Sequence, residues 1–205
     1  MSQRVALSWS GGKDSCMALH KLVEGDKKVA CLVTTVPQET GRTFAHDEEI
    51  GKMKAQAEAL DIPIEFIHCS YDTYNEDFLK HLLDLKTKYE LNAIAFGDMY
   101  LEGHREWGEK LATAAGIQAL YPLWMEESMM LDALNQFIKL GYKAEVIKVR
   151  GDMLPQDWVG RILDKRFIEE ISKKADICPM GESGEYHTFV FDGPLFKERV
   201  NTKGL

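Results

Sequence analysis

The N-terminal segment constrains the fold of this chain more than any other stretch. An apolar run rich in β-forming residues, Arg4–Trp9, predicts a buried strand, and a Ser-Gly-Gly turn follows it. Apolar residues then recur at helical spacing at positions Cys16, Leu19, Leu22 and Val23. A strand, a glycine turn and a helix in this order direct backbone N–H groups and the positive end of the helix dipole at one point. The segment therefore predicts an anion-binding turn.

The residue types in this turn suit a phosphate group. Two adjacent glycines permit positive φ and let the backbone approach a bulky anion closely. Lys13 adds a mobile positive charge, while Asp14 either complements the helix dipole or holds a divalent metal at the phosphates. The alternative is a junction whose glycines only allow close packing. We predict that every position of the turn contacts the phosphates, namely Ser10, Gly11, Gly12, Lys13, Asp14 and Ser15.

The turn matches neither of two common nucleotide-binding motifs. A Walker A loop requires glycine where Leu7 stands and Ser or Thr where Asp14 stands, and the Rossmann fingerprint is also absent. The string Ser-Gly-Gly-Lys-Asp-Ser instead resembles the loop of the PP-loop ATP pyrophosphatases, which cleave ATP between the α and β phosphates. This resemblance implies ATP as the nucleotide, Mg²⁺ at its phosphates and Asp14 as the candidate metal ligand.

Strands and helices alternate through residues 1–124. Apolar, β-branched runs predict strands at 29–36, 62–68, 93–96 and 117–123, and helical spacing begins near Asp47, at Phe78 and at Trp107. Such alternation predicts an α/β fold with a doubly wound, parallel five-stranded sheet, as in the PP-loop enzymes. Ligands bind beyond the carboxyl ends of such strands. We therefore expect Val33, the polar loop 38–46, Gly97 and Asp98 to border the same crevice as the glycine turn.

The pattern changes after Trp124. A helix ending at Gly141, a strand over Lys143–Val149 and a helix over Pro155–Lys174 predict a smaller α+β domain at 125–205, following an ATP-binding domain at 1–124. The segment Gly181–Thr188 in this domain spaces two glutamates and a histidine around glycines.

Glu182, Glu185 and His187 are candidates for chemistry in this segment. Carboxylates and an imidazole can act as general base, hold a metal or bind an amine. A glycine-rich turn with solvated acids has the same composition. The residue types alone leave both interpretations open.

Two C-terminal strings resemble the signature of the diphthine–ammonia ligase family: Gly-Glu-Ser-Gly-Glu-Tyr-His-Thr and Phe-Asp-Gly-Pro-Leu-Phe. These PP-loop enzymes adenylate a carboxylate and let ammonia displace AMP. The resemblance spans nearly the whole chain and implies an AMP-forming ligase with Lys13, Glu182, Glu185 and His187 as catalytic residues, acting on a carboxylate acceptor and ammonia or an amine.

Two departures from the family pattern bear on the acceptor. The family has glycine and glutamate where this chain has Ser183 and His187. The stretch that follows Gly97 also differs, and it resembles a subgroup of shorter homologues whose acceptor is not established. His46, His104 and Arg105 are polar residues near the predicted crevice, and their roles stay open.

Composition narrows the function classes. A net charge of −8 disfavours nucleic acid as a partner. Four separated cysteines exclude a zinc ribbon and favour the cytoplasm, and no apolar run approaches the roughly 20 residues that span a membrane. The alternatives are a tRNA-modifying or sulfur-transfer PP-loop enzyme, for which only Cys178 could serve, and a non-catalytic nucleotide-binding protein. The chain is compatible with a homodimer.

Overall fold

The computed structural model describes residues 2–37 and 50–201. Its strands are β1 Arg4–Ser8, β2 Lys28–Pro37, β3 Ile64–Cys69, β4 Ala93–Ala95, β5 Gln118–Leu120, β6 Lys143–Val149 and β7 Tyr186–Asp192. Its α-helices are α1 Lys13–Glu24, α2 Ile50–Leu60, α3 Tyr74–Tyr89, α4 Glu102–Ala115, α5 Met130–Lys139 and α6 Lys165–Ile171. The predicted polar loop 38–46, with His46, and the helix start near Asp47 lie outside the described residues.

The first five strands form one parallel sheet in the order β3-β2-β1-β4-β5. Buried residues of α1 and α2 pack on one face, and those of α3 and α4 pack on the other. The prediction of a doubly wound α/β sheet is confirmed. The chain turns to β2 on one side of β1 and later to β4 on the other side. The loops that follow β1 and β4 therefore diverge and leave a crevice at the carboxyl edge.

The C-terminal part adds an antiparallel pair, β6 and β7, with α5 and α6, which confirms a smaller α+β part. Its buried residues join the core on the α1 and α2 face, where Met17 and Phe189 belong to one cluster. Strand β7 also bonds directly to the glycine turn, since the Val190 N–H donates to the Gly11 carbonyl at 2.9 Å. The second half is thereby anchored beside the glycine turn.

Two helix predictions differ from the structure. The helix predicted over Pro155–Lys174 is wrong in extent: Gln156–Trp158 forms a single 3-10 turn and α6 begins only at Lys165. Gly160 has a φ of +87° and Glu145 forms a β-bridge with Ile162, so tertiary pairing interrupts the helical pattern. Helix α4, by contrast, is longer than predicted, because it begins at Glu102, five residues before the predicted start at Trp107.

The cysteines and helices of the structure bear on the arguments from composition. Cys16, Cys31, Cys69 and Cys178 are free thiols, and Cys16 is buried in the core as its helical position predicts. Within residues 2–37 and 50–201, every helix is too short or too polar to span a membrane.

Candidate active site

The glycine turn has the backbone form that an anion-binding loop needs. Gly11 has a φ of +75°, and a Cβ at this position would lie 2.6 Å from Gln56 Oε1 and from Met53 Cε, so a larger residue would be strained and would clash. Gly12 is extended and forms the N-cap of α1. The helix therefore starts inside the turn, with its N-terminal N–H groups at the crevice.

Lys13 is buried rather than mobile. Its side chain is 2% exposed, its Nζ lies 3.0 Å from Asp14 Oδ2, and it sits 4.7 Å from the centre of the Tyr186 ring. The prediction of a mobile charge is wrong because Tyr186, from the distant strand β7, packs against the ammonium group. The cation is thus held in place before any ligand binds.

Asp14 places a buried carboxylate beside this cation. Burial raises the pKa of its carboxyl, and the neighbouring Lys13 acts in the opposite direction. One carboxylate oxygen bonds to Lys13, whereas the other, Oδ1, is buried without a hydrogen-bond partner. A buried carboxylate oxygen without a partner is costly, and a bound cation or donor would satisfy it.

A cavity of about 240 Å³ lies at the carboxyl ends of β1, β2 and β4, and we call it the nucleotide crevice. It brings together six of the nine predicted nucleotide-binding residues, Ser10, Asp14, Ser15, Val33, Gly97 and Asp98, with Glu182, which was predicted as catalytic. The predicted residues Gly11, Gly12 and Lys13 do not line it. The hydroxyls of Ser10 and Ser15 are 3.3 Å apart. The glycine turn, strand β2, the segment after β4 and the C-terminal part therefore meet at one cavity.

A second cavity of about 370 Å³ adjoins the first, and we call it the Lys13 cavity. Asp14 and Glu182 line both cavities, and Lys13, His104 and His187 line only the second. The two shared carboxylates therefore lie at the boundary between the cavities.

Glu182 and His187 have pKa values shifted in opposite directions. The Met99 N–H donates to Glu182 Oε1 at 2.8 Å, yet burial and repulsion from Asp14 and Asp98 raise the pKa of Glu182 to about 7. Burial, with Lys13 and Lys148 nearby, lowers the pKa of His187 to about 4. Near pH 7 the imidazole is therefore neutral, and the Glu182 carboxyl exchanges its proton readily.

Glu185 lies apart from these two residues. It is 3% exposed, and its two carboxylate oxygens accept the N–H groups of Cys178 and Ser183 at 3.0 Å each. It lines a third cavity of about 390 Å³, together with Tyr100 and Arg150, and does not line the other two. Its contacts order the turn that presents Glu182.

The polar residues after β4 divide between the site and the surface. His104 lines the Lys13 cavity, and its Nδ1 lies 2.8 Å from Asp98 Oδ1. Arg105 pairs with Glu109 at 2.9 Å, and its guanidinium stacks 4.8 Å from the Trp124 ring. Arg105 therefore belongs to the surface of α4.

Two side chains that support the turn were not predicted as site residues. The Thr188 hydroxyl accepts the Lys13 N–H at 3.0 Å, and Gln56 donates to the Gly11 carbonyl at 2.9 Å. One feature of the sequence could have identified Gln56: it is a polar residue in an otherwise apolar stripe of α2. That stripe comprises Met53, Ala57 and Leu60.

Comparisons with known proteins agree with this geometry. The chain matches the diphthamide synthase N-terminal domain over residues 3–119 and the diphthamide synthase C-terminal domain over residues 129–204. Proteins named diphthine–ammonia ligase from Homo sapiens and Bos taurus are 28% and 29% identical to it, over 96% of this chain and 82% of their own length. A protein of the same name from Schizosaccharomyces pombe is 28% identical over 93% of this chain, which covers 34% of that longer protein. Since the N-terminal family model alone matches more than half of the residues, the chain belongs to the diphthamide synthase family.

Proposed function

We propose that this chain is an ATP-dependent, AMP-forming ligase that joins a carboxylate to ammonia or an amine. One observation carries the proposal: Asp14 from the PP-loop and Glu182 from the C-terminal part line both the nucleotide crevice and the adjoining Lys13 cavity. The reaction needs this arrangement, because the acceptor must reach the α-phosphate of a bound nucleotide. The names of the relatives support the same reaction class.

The PP-loop would hold the phosphates. Its residues Ser10, Asp14 and Ser15 line the crevice, whose other wall contains Val33, Gly97 and Asp98. The buried Lys13 ammonium would stabilise the charge that develops on the departing pyrophosphate. A charge held in place before the reaction costs little reorganisation.

The residues of the crevice fit a magnesium ion. Asp14 Oδ1 has no hydrogen-bond partner, and Asp98 and Glu182 border the same cavity. Within the described ranges, no group of three or more His, Cys, Asp or Glu could hold a metal. Mg²⁺ commonly uses only one or two carboxylates and takes its other ligands from phosphate and water. When bound, it would neutralise phosphate charge.

The acceptor would enter through the Lys13 cavity. Its carboxylate oxygen forms a bond to the α-phosphorus as the bond to pyrophosphate breaks. The amine nitrogen then attacks the acyl carbon, the bond to AMP breaks, and the Glu182 carboxylate, whose pKa is about 7, takes the surplus proton. The neutral His187 imidazole would orient the amine by hydrogen bonding. Direct handling of the amine by Glu185 stays a prediction, and its backbone contacts favour a positioning role.

Diphthine and ammonia are the first substrates to test, because the relatives carry these names. His187 and the stretch after Gly97 depart from the family pattern, so other carboxylates belong in the same assay. Sulfur transfer is less favoured, since Cys178 lines only the third cavity. A division into a nucleotide-binding part, 1–124, and an acceptor part, 125–205, is supported by the family models that end at 119 and begin at 129. A cytoplasmic location stays a prediction.

Product analysis tests the reaction class. The protein is incubated with ATP labelled at the α-phosphate, Mg²⁺, ammonium and each candidate acceptor, and the products are separated by chromatography. We expect AMP and pyrophosphate, and an amide that forms only when ammonium is present. Release of ADP and phosphate would reject the proposed class.

A further inference from the structure

Gln56 lies at the centre of a buried hydrogen-bond network beneath the turn Ser10–Ser15. Its side chain is fully buried (0% exposed) on an otherwise apolar face of α2. The Trp9 indole N–H donates to its Oε1 at 3.0 Å. Its Nε2 donates to the carbonyls of Gly11 at 2.9 Å and Val190 at 2.6 Å. One side chain thus connects the end of β1, the PP-loop and β7.

The chemistry of the three partners determines how the amide is oriented. An indole N–H can only donate and a backbone carbonyl can only accept, so the oxygen of the Gln56 amide must face Trp9. Both N–H bonds of its nitrogen are then used by Gly11 and Val190. A shorter or apolar side chain cannot supply this set of bonds.

The network controls the direction of a loop N–H group. The Gly11 carbonyl accepts both Gln56 Nε2 and the Val190 N–H, each at 2.9 Å, which uses its two lone pairs. In a planar trans peptide, the Gly11 carbonyl and the Gly12 N–H point in opposite directions. Holding the carbonyl inward therefore turns the Gly12 N–H outward, where it donates at 3.4 Å to the Oγ of Ser10, a residue that lines the crevice.

We propose that Gln56 is a positioning residue that keeps the Gly11–Gly12 peptide in its phosphate-binding orientation. Through Val190, it also links the PP-loop to β7, the strand that carries His187 and Thr188. This role rests on the proposed function, because its consequence is measured on ATP binding and cleavage. Gln56 contacts no substrate and acts through the backbone of the loop.

The test compares two substitutions on α2. Gln56→Met keeps the length of the side chain and removes all three hydrogen bonds, whereas Leu60→Ala removes buried apolar volume on the same helix and no polar group. We expect Gln56→Met to raise the KM for ATP and lower kcat/KM by about tenfold, the effect of one or two lost hydrogen bonds. We expect Leu60→Ala to lower the thermal midpoint without changing the KM.

Hydrogen–deuterium exchange provides a readout that does not depend on turnover. Exchange at Gly12 and Lys13 should be faster in Gln56→Met than in the wild type and unchanged in Leu60→Ala. If Gln56→Met does not fold, Gln56→Asn gives the same comparison, because its shorter amide cannot reach all three partners.

Two results would overturn the proposal. One is an unchanged KM for ATP with unchanged exchange at Gly12 in a folded Gln56 variant. The other is an equal change in Leu60→Ala, which would show a general effect of lost stability. A wild-type protein that makes no AMP would instead refute the proposed function, and calorimetric ATP binding with exchange would still decide the role of Gln56.

Discussion

The two ends of the candidate site are built in different ways. The phosphate end, Ser10–Ser15, is one continuous segment whose glycines and helix start determine its shape. The acceptor end depends on backbone groups from separate segments, with the Met99 N–H holding Glu182. The comparison shows why a short motif identifies the first end and cannot define the second.

The two ends also differ in charge. At the phosphate end, a buried cation is paired with a carboxylate, Lys13 with Asp14. At the acceptor end, Glu182 has a pKa of about 7, and His187, with a pKa of about 4, is neutral near pH 7. The first end is arranged to hold fixed charge and the second to exchange protons. The predictions below test this division, beginning with the largest expected effect.

Loss of the Lys13 charge should have the largest effect on turnover. We expect Lys13→Met to lower kcat for AMP formation by about 10²–10³-fold, because a charge placed to stabilise the departing pyrophosphate is removed. The matched control is Lys21→Met, on the same helix, where the lysine pairs with Glu24 at the surface. Steady-state kinetics and circular dichroism of both variants measure the effect. Full activity in a folded Lys13→Met protein would show that the Lys13 charge does not stabilise the departing pyrophosphate.

The sequence predicted the fold wherever the signal was local. Buried strands and apolar helix faces leave short repeating patterns, and these located the five parallel strands to within a few residues. The pattern failed between Pro155 and Lys174, because pairing of Glu145 with Ile162 interrupts the helix there. The local sequence of this segment does not predict its pairing with residues that are distant in sequence.

The difference between local patterns and contacts of distant segments also explains which site residues could be predicted. The predicted nucleotide-binding residues follow from the turn and from the carboxyl ends of the strands, and six of them line one cavity together with Glu182. The burial of Lys13 depends on Tyr186, and the role of Gln56 depends on Trp9 and Val190. These contacts exist only after the C-terminal part has folded against the sheet.

Removal of the Glu182 charge should have an intermediate effect, seen as a change in the pH dependence of stability. The pKa of Glu182 is about 7 in the folded protein and 4.5 for the free side chain. Between these values the folded state binds more protons, so the free energy of unfolding falls as pH rises through this window. Glu182→Gln should therefore stabilise the protein by about 3 kcal/mol at pH 8 and by less than about 1 kcal/mol at pH 5.

Urea unfolding at both pH values measures this difference. The exposed Glu106 on α4 provides the control, since Glu106→Gln should not change the pH dependence. Equal stabilisation by Glu182→Gln at pH 5 and pH 8 would show that burial and repulsion from Asp14 and Asp98 do not raise the pKa of Glu182.

The smallest expected effect concerns His187 and nucleotide binding. Because burial and the nearby Lys13 and Lys148 keep its pKa at about 4, the imidazole is neutral near pH 7. His187→Gln replaces one neutral polar group with another, so the Kd for ATP should change by less than about twofold, whereas turnover falls with loss of the imidazole that orients the amine. His187→Glu adds a negative charge beside the phosphate end and should weaken ATP binding more than the neutral replacement does. Calorimetric titration of ATP into the two variants at pH 7 measures the difference. Equal weakening by Gln and Glu would mean that His187 contacts the nucleotide itself, and the boundary between the two ends would then lie beyond this residue.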